Sequence, residues 1–393
     1  MNYDEAMLRT CHKQSLLLLI AASCLAWHCA AARSAEDVTF KQSGKVNHVI
    51  GKTIVTAQDG GILLLTPDGK LWTIMPDEVV EHHEDDKPAT PLTSDELKKR
   101  VLSELPAGFE TYGTVHYLIF HNTSRAYAQW CGALFERLYS TFQNFWTRRG
   151  FKLHEPATPL VVVIYADRAA FSSQSASELG NCANGVIGYY SLQTNWVKMY
   201  DLTGIESLRP QGEKRLDAGA IGQLLSRPEA TMMVSTVIHE ATHQIAFNCG
   251  LQQRLADIPL WVCEGLAEYF ETPNPNYGKG WKTVGELNPP RIERFNQYLS
   301  RRPGDSLTRL IVDDNRFRAP DQALDAYAEA WALNYFLLRQ HAKEYQKYLD
   351  LLAEKGPLLS DSPDVRLKEF KDCFGQDLGA LDAEFVKYMA RVK

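Results

Sequence analysis

The segment Thr236-Val-Ile-His239-Glu240-Ala-Thr-His243-Gln-Ile245 restricts what this chain can fold into more than any other. It sits in a helical pattern from about Glu229 to Phe247, with Met233, Val237, Ile238, Ile245 and Phe247 as apolar surface. On a helix, His239 and His243 stand one turn apart and point the same way, so both imidazoles can reach one ion. Glu240 lies on the adjoining edge. It is poorly placed to ligate that ion but well placed to touch a water beside it. The flanking Thr236, Val237, Ala241, Thr242, Gln244 and Ile245 are uncharged, as a buried helix requires. A core helix whose histidines bond to backbone or water is the alternative, and it would bury two imidazoles and a carboxylate at a cost.

A catalytic metal commonly keeps three protein ligands and one open position. Glu264, in Pro259-Leu-Trp-Val-Cys-Glu264-Gly-Leu-Ala-Glu268-Tyr-Phe-Glu271, is the candidate third ligand. Twenty residues separate it from His243, enough for a loop and a return into a second helix. Glu268, one turn further on, is expected to accept a hydrogen bond from a ligand histidine and fix its tautomer. A solvated helix residue is the alternative for Glu268.

At these residues the chain resembles the gluzincin superfamily of zinc peptidases, which includes thermolysin and a group of aminopeptidases. Trp261-Val-Cys-Glu264-Gly-Leu-Ala-Glu268-Tyr269 is similar to the aminopeptidase third-ligand helix, and the stretch from about Ala107 to Phe270 is similar to the exported bacterial DUF1570 domain family. The resemblance implies a zincin-like α+β fold. It further implies one zinc per chain on His239, His243 and Glu264, with Glu240 as general base. Tyr327, in the alanine-rich helical segment from Asp325 to Tyr335, resembles in position the aminopeptidase tyrosine that steadies the oxyanion. An aromatic stripe of Tyr327, Trp331 and Tyr335 packed in the core is the alternative. No Gly-x-Met-Glu-Asn segment occurs upstream, which points away from capture of a free amino terminus. The expected protein is an exported zinc metallopeptidase acting on peptides or proteins. Its rivals are a catalytically silent zinc-containing peptide- or partner-binding protein, and a hydrolase of non-peptide amides.

Residues 1–35 read as a signal peptide. Arg9 and Lys13 precede the apolar run Ser15–Trp27, and small residues follow at Ala30 to Ala32, Ser34 and Ala35. An uncleaved anchor or a lipid on Cys24 is the alternative. No later run is long enough to cross a bilayer, so a periplasmic or extracellular protein without a stable membrane span is expected. Of eight cysteines, Cys131, Cys182, Cys249, Cys263 and Cys373 lie beyond this leader, and Cys249 with Cys263 or Cys182 are the candidate disulfides. The net charge of −6 is spread along the chain with no basic stripe, so nucleic acid is not an expected partner.

Residues 36–84 read as a small β module, because Asp59-Gly60 and Asp68-Gly69 separate short apolar runs. The charged stretch Glu81–Pro91 reads as a linker, with His82 and His83 solvated on it. Strands at Tyr117–Phe120 and Pro159–Tyr165, a helix from about Ser124 to Arg149 and a strand pair at Ala183–Tyr200 make 92–275 an α+β unit. Within it Gly185–Tyr190 is a candidate edge strand for an extended substrate. Residues 276–393 read as a helical subdomain, and Pro273–Pro290 as a loop over the cleft. His116, His121, His154 and His341 stand alone and read as structural.

Overall fold

The computed structural model describes residues 34–205, 217–272 and 284–392. Residues 1–33 of the expected leader and most of the expected cleft loop lie outside these residues, and the last two residues of the leader, Ser34 and Ala35, open the first strand.

β1 (Ser34–Gln42), β2 (Lys45–Thr56), β3 (Ile62–Leu65), β4 (Leu71–Ile74) and β5 (Val79–Pro88) form one antiparallel sheet in the order β4-β3-β2-β1-β5. The Asp-Gly signals mark its turns, and Gly60 and Gly69 take φ of +88° and +84°, where a side chain would be strained. Val38, Phe40, Val49, Ile62, Leu64 and Ile74 make a small core of their own. The linker expected at Glu81–Pro91 is corrected, because β5 runs through it to Pro88 and pairs with β1. A charged edge strand carries no apolar alternation, and charge on an edge blocks further pairing. His82 lies on this strand, 2.8 Å from the Glu36 carboxylate.

The second sheet is mixed. β6 (Glu110–Gly113), β7 (Tyr117–His121), β8 (Leu160–Tyr165), β9 (Gly188–Tyr190) and β10 (Trp196–Tyr200) lie in the order β6-β7-β8-β10-β9. β7, β8 and β10 are parallel, while β6 and β9 are antiparallel to their neighbours. β8 reads Leu-Val-Val-Val-Ile-Tyr and is buried throughout, as a central strand covered on both faces must be. α1 (Ser94–Glu104) starts at a reciprocal cap between Thr93 and Glu96. α2 (Arg125–Thr147) is capped by Ser124 and buries Tyr127, Cys131, Leu134, Leu138 and Phe142 along one face. α3 (Arg168–Leu179) begins at the Asp167 cap, and α4 (Ala218–Leu225) at Asp217.

α5 (Pro228–Asn248) has proline at its first position and packs on β9, β10 and α2. Burial on nearly every side from Thr236 to Ala246 explains its lack of charge apart from Glu240. Gln244 fastens it to the sheet, donating to the Val161 carbonyl at 2.9 Å and the Asn195 carbonyl at 2.8 Å. α6 (Leu260–Glu271) packs beside α5, and the remaining chain is helical: α7 (Pro289–Leu299), α8 (Ser306–Val312), α9 (Ala323–Gln340), α10 (Ala342–Ala353), α11 (Pro363–Phe374) and α12 (Leu378–Met389). The molecule is therefore α+β, a β module and a mixed sheet followed by a mainly helical C-terminal part. Among the described residues no helix is long and apolar enough to cross a membrane.

α9 lies across both α6 and α7. Its buried alanines, Ala326, Ala328, Ala330 and Ala332, let α6 come close, and Gly265 marks the contact. A Cβ there would stand 2.6 Å from the Ala330 carbonyl oxygen. Asn334 on α9 donates to the Trp261 carbonyl at 2.8 Å, tying the two helices together.

Candidate metal centre

α5 and α6 bring three donors together. His239 Nε2 lies 3.1 Å from His243 Nε2 and 3.2 Å from Glu264 Oε2, and His243 Nε2 lies 3.7 Å from Glu264 Oε1. One ligand atom from each of the three falls within 4.8 Å of the others, a cluster that could hold a metal ion. The one-turn spacing on α5 sets the histidine pair, and the close packing of α6 brings in the carboxylate.

The charge of the region fits a cation. Four carboxyl groups, Glu240, Glu264, Glu268 and Glu271, are grouped here; burial raises Glu268 well above its usual value despite the Arg291 guanidinium beside it, while Glu264 stays ionised among the histidines. Burial pushes the His243 imidazole down to about 4, so it is neutral at pH 7 with a lone pair to give. Burial alone would raise Glu264, but His243, His239 and Arg291 outweigh it and hold the carboxyl below its usual range. Burial likewise opposes charging of His239, yet Glu264 and Glu271 outweigh it and raise the imidazole well above its usual value. Carboxylates on both sides of that ring hold a proton tightly, and they would favour a cation in the same place.

The partner of the candidate ligand His239 differs from the expectation. His239 Nδ1 is 2.8 Å from Glu271 Oε2, and Glu271 is held in turn by Asn288 Nδ2 at 3.1 Å. Glu268 does not take that role; Arg291 Nε lies 2.7 Å from its Oε1. On a helix, seven residues fall about 20° short of two full turns, whereas four overshoot one turn by about 40°. Glu271 therefore repeats the direction of Glu264 more closely than Glu268 does. That phase is present in the sequence. Asn288 and Arg291, at the start of α7, have no such signal.

Glu240 faces the same cavity. Its Oε2 accepts the Tyr190 backbone N–H at 2.7 Å, which fixes the carboxylate against the end of β9. Burial is the main cause that pushes its carboxyl up to about 7. The cavity, about 150 Å³, is lined by His239, Glu240, His243, Glu264 and Tyr327, with Tyr190 at its rim. Tyr327 reaches it from α9, buried, its ring 5.1 Å from that of Phe317 and 5.5 Å from the Arg291 guanidinium.

The candidate edge strand lies beside this cavity, and β9 closes the sheet at that side. Tyr190 turns its N–H away from β10 and toward Glu240. No disulfide joins Cys131, Cys182, Cys249, Cys263 and Cys373, so neither candidate pairing is formed. His116 pairs with Glu136 at 2.7 Å, and His121 and His154 meet backbone carbonyls, all away from the cavity.

No curated protein matches the chain. The similarity expected between about Ala107 and Phe270 is displaced along the chain, since the matching region starts within α5 and runs past α9 and α10. Residues 233–359, the part that carries all three donors, Glu240 and Tyr327, match the family described as "Protein of unknown function (DUF1570)".

Proposed function

We propose that this protein is an exported zinc-dependent metallopeptidase of the gluzincin type, hydrolysing peptide bonds with Glu240 as general base. The observation that carries the reading is the convergence of two imidazoles and a carboxylate on one point, with a further carboxylate beside them in the same cavity. A purely structural metal site has no need of that further carboxylate.

His239, His243 and Glu264 would hold the ion, one per chain. Zinc bound there would polarise a carbonyl and make a water acidic near neutral pH. The chain's own groups supply the rest. Glu240 would take a proton from the attacking water and pass it to the departing amine, since its carboxylate lines the same cavity as the three donors. The Tyr190 N–H keeps that carboxylate aimed into the cavity. Glu271 keeps the His239 tautomer that turns Nε2 toward the donors. Tyr327 lines the cavity and would donate to the oxyanion.

A panel of fluorogenic peptides beside non-peptide amides, assayed with and without a chelator, tests the reading. Peptide cleavage is expected, lost with chelator and lowered about 10²–10⁴-fold in Glu240→Gln while the variant keeps its metal. Wild-type rates in Glu240→Gln would remove Glu240 as the base, and turnover of the non-peptide amides alone would replace the substrate class.

A further inference from the structure

A second, larger cavity of about 450 Å³ adjoins the metal cavity. The two share Tyr190, Leu192 and Leu255, so these three residues stand at the boundary between them. One wall of the larger chamber comes from β9 and the loop after it, and from α3 through Ser177, Glu178 and Leu179. The opposite wall comes from the N-terminal β module, through Gln42 and Ser43 at the β1–β2 turn and Leu71 and Thr73 on β4.

The module is fixed against the second sheet. The Leu71 N–H donates to the Gln193 carbonyl at 2.8 Å, and the Leu92 N–H to the Pro67 carbonyl at 2.9 Å. Arg254 spans both parts, donating to the Leu192 carbonyl at 3.1 Å and the Gly69 carbonyl at 2.9 Å. Lys70 packs over the Trp196 ring at 4.9 Å and pairs with Glu104. The boundary is also built. Leu255 has φ of +61°, a backbone state that leucine rarely takes, and the Leu358 N–H holds its carbonyl at 2.7 Å. A strained residue at the junction of two cavities places one side chain where an ordinary turn would not.

We propose that the N-terminal β module is a wall of the substrate cleft, and that its chamber receives an uncharged stretch of an extended polypeptide whose reactive bond lies at the metal centre. This rests on the peptidase reading and extends it to what the enzyme selects. The size suits a few residues of chain, within the roughly 300–1,000 Å³ of ordinary ligand pockets. Adjacency gives the occupant, since a chain laid along β9 from the metal cavity meets Tyr190 and Leu192, which line the chamber as well. The lining gives the selectivity. Its polar side chains are hydroxyls and amides, and its one carboxylate, Glu178, is paired with Lys198. A charged substrate side chain would lose water there and find no opposite charge free.

The test uses an equimolar random octapeptide library with two substitutions that fill the chamber from opposite walls, Thr73→Trp and Ser177→Trp. Val46→Thr, at an exposed position of the module outside the chamber, is the control. Each is made in the zinc-loaded wild type, where cleavage sites are read by mass spectrometry, and in Glu240→Gln, where retained peptides are sequenced. Both tryptophans are expected to lower retention about 10-fold or more and to erase a preference for uncharged residues several positions from the cleaved bond. The control keeps both. Cleavage with retention and preference unchanged in both filled variants overturns the chamber and leaves the peptidase reading standing. Absence of cleavage overturns the peptidase reading, and retention by the Glu240→Gln proteins still decides the chamber. Retention by none of them overturns it.

Discussion

The two carboxylates on α6 that follow Glu264 have separate duties, and substitution separates them. Glu271 sits 2.8 Å from His239 Nδ1, so Glu271→Ala frees that ring and is expected to weaken metal retention about 10–100-fold. Glu268 faces Arg291, so Glu268→Ala leaves a buried guanidinium without its carboxylate and is expected to destabilise the fold by about 3 kcal/mol. Chelator competition reads the first effect and urea unfolding the second; the reverse pattern would restore Glu268 as the partner of the ligand. The histidine pair and Glu240 are legible from helical periodicity, whereas Glu264, on the next helix, is legible only as the third ligand that such a pair requires. Tyr190 is legible in neither way. Its contribution is a backbone N–H, which any residue but proline could provide.

Among the elements, α5, α6 and α9 act as one assembly, held by the small residues between them. Gly265→Ala is expected to push α6 away from Ala330 and Asn334 and to cost about 1–3 kcal/mol, with the metal affinity falling because Glu264 precedes it. An unchanged denaturation midpoint in this variant would show that the contact relaxes freely. Long helices with an apolar face, such as α2 and α5, are readable from sequence because the period repeats over several turns. β5 and β6 are not readable in that way. β6 is four residues long and largely unburied, and β5 is charged, so both owe their form to the strand beside them.

At the scale of the whole molecule, the β module is joined to the remainder by charge as well as by backbone. Burial would raise the Asp68 carboxyl, but Lys70, the Thr66 hydroxyl and Arg100 outweigh it and hold it below its usual value. A lowered folded-state value means that the group stabilises fully above the unfolded value, near pH 4, and that this contribution disappears as the pH falls further. Asp68→Asn is therefore expected to be less stable than wild type by about 2 kcal/mol at pH 7, with the gap closing below about pH 4. Urea titrations across that range check it, and a gap that persists at low pH would contradict the assignment. The composition of residues 36–84 announces a β module and says nothing of where it docks, because docking depends on Gly69, Leu71 and Arg254 meeting across the chain. The metal centre is the claim on which the functional account depends. The direct measurement is elemental mass spectrometry of the protein and of Glu264→Ala, both purified without chelators or metal resins. About one zinc per wild-type chain, lost or sharply reduced in the variant, is the predicted result; a well-folded wild type that retains no metal would contradict it.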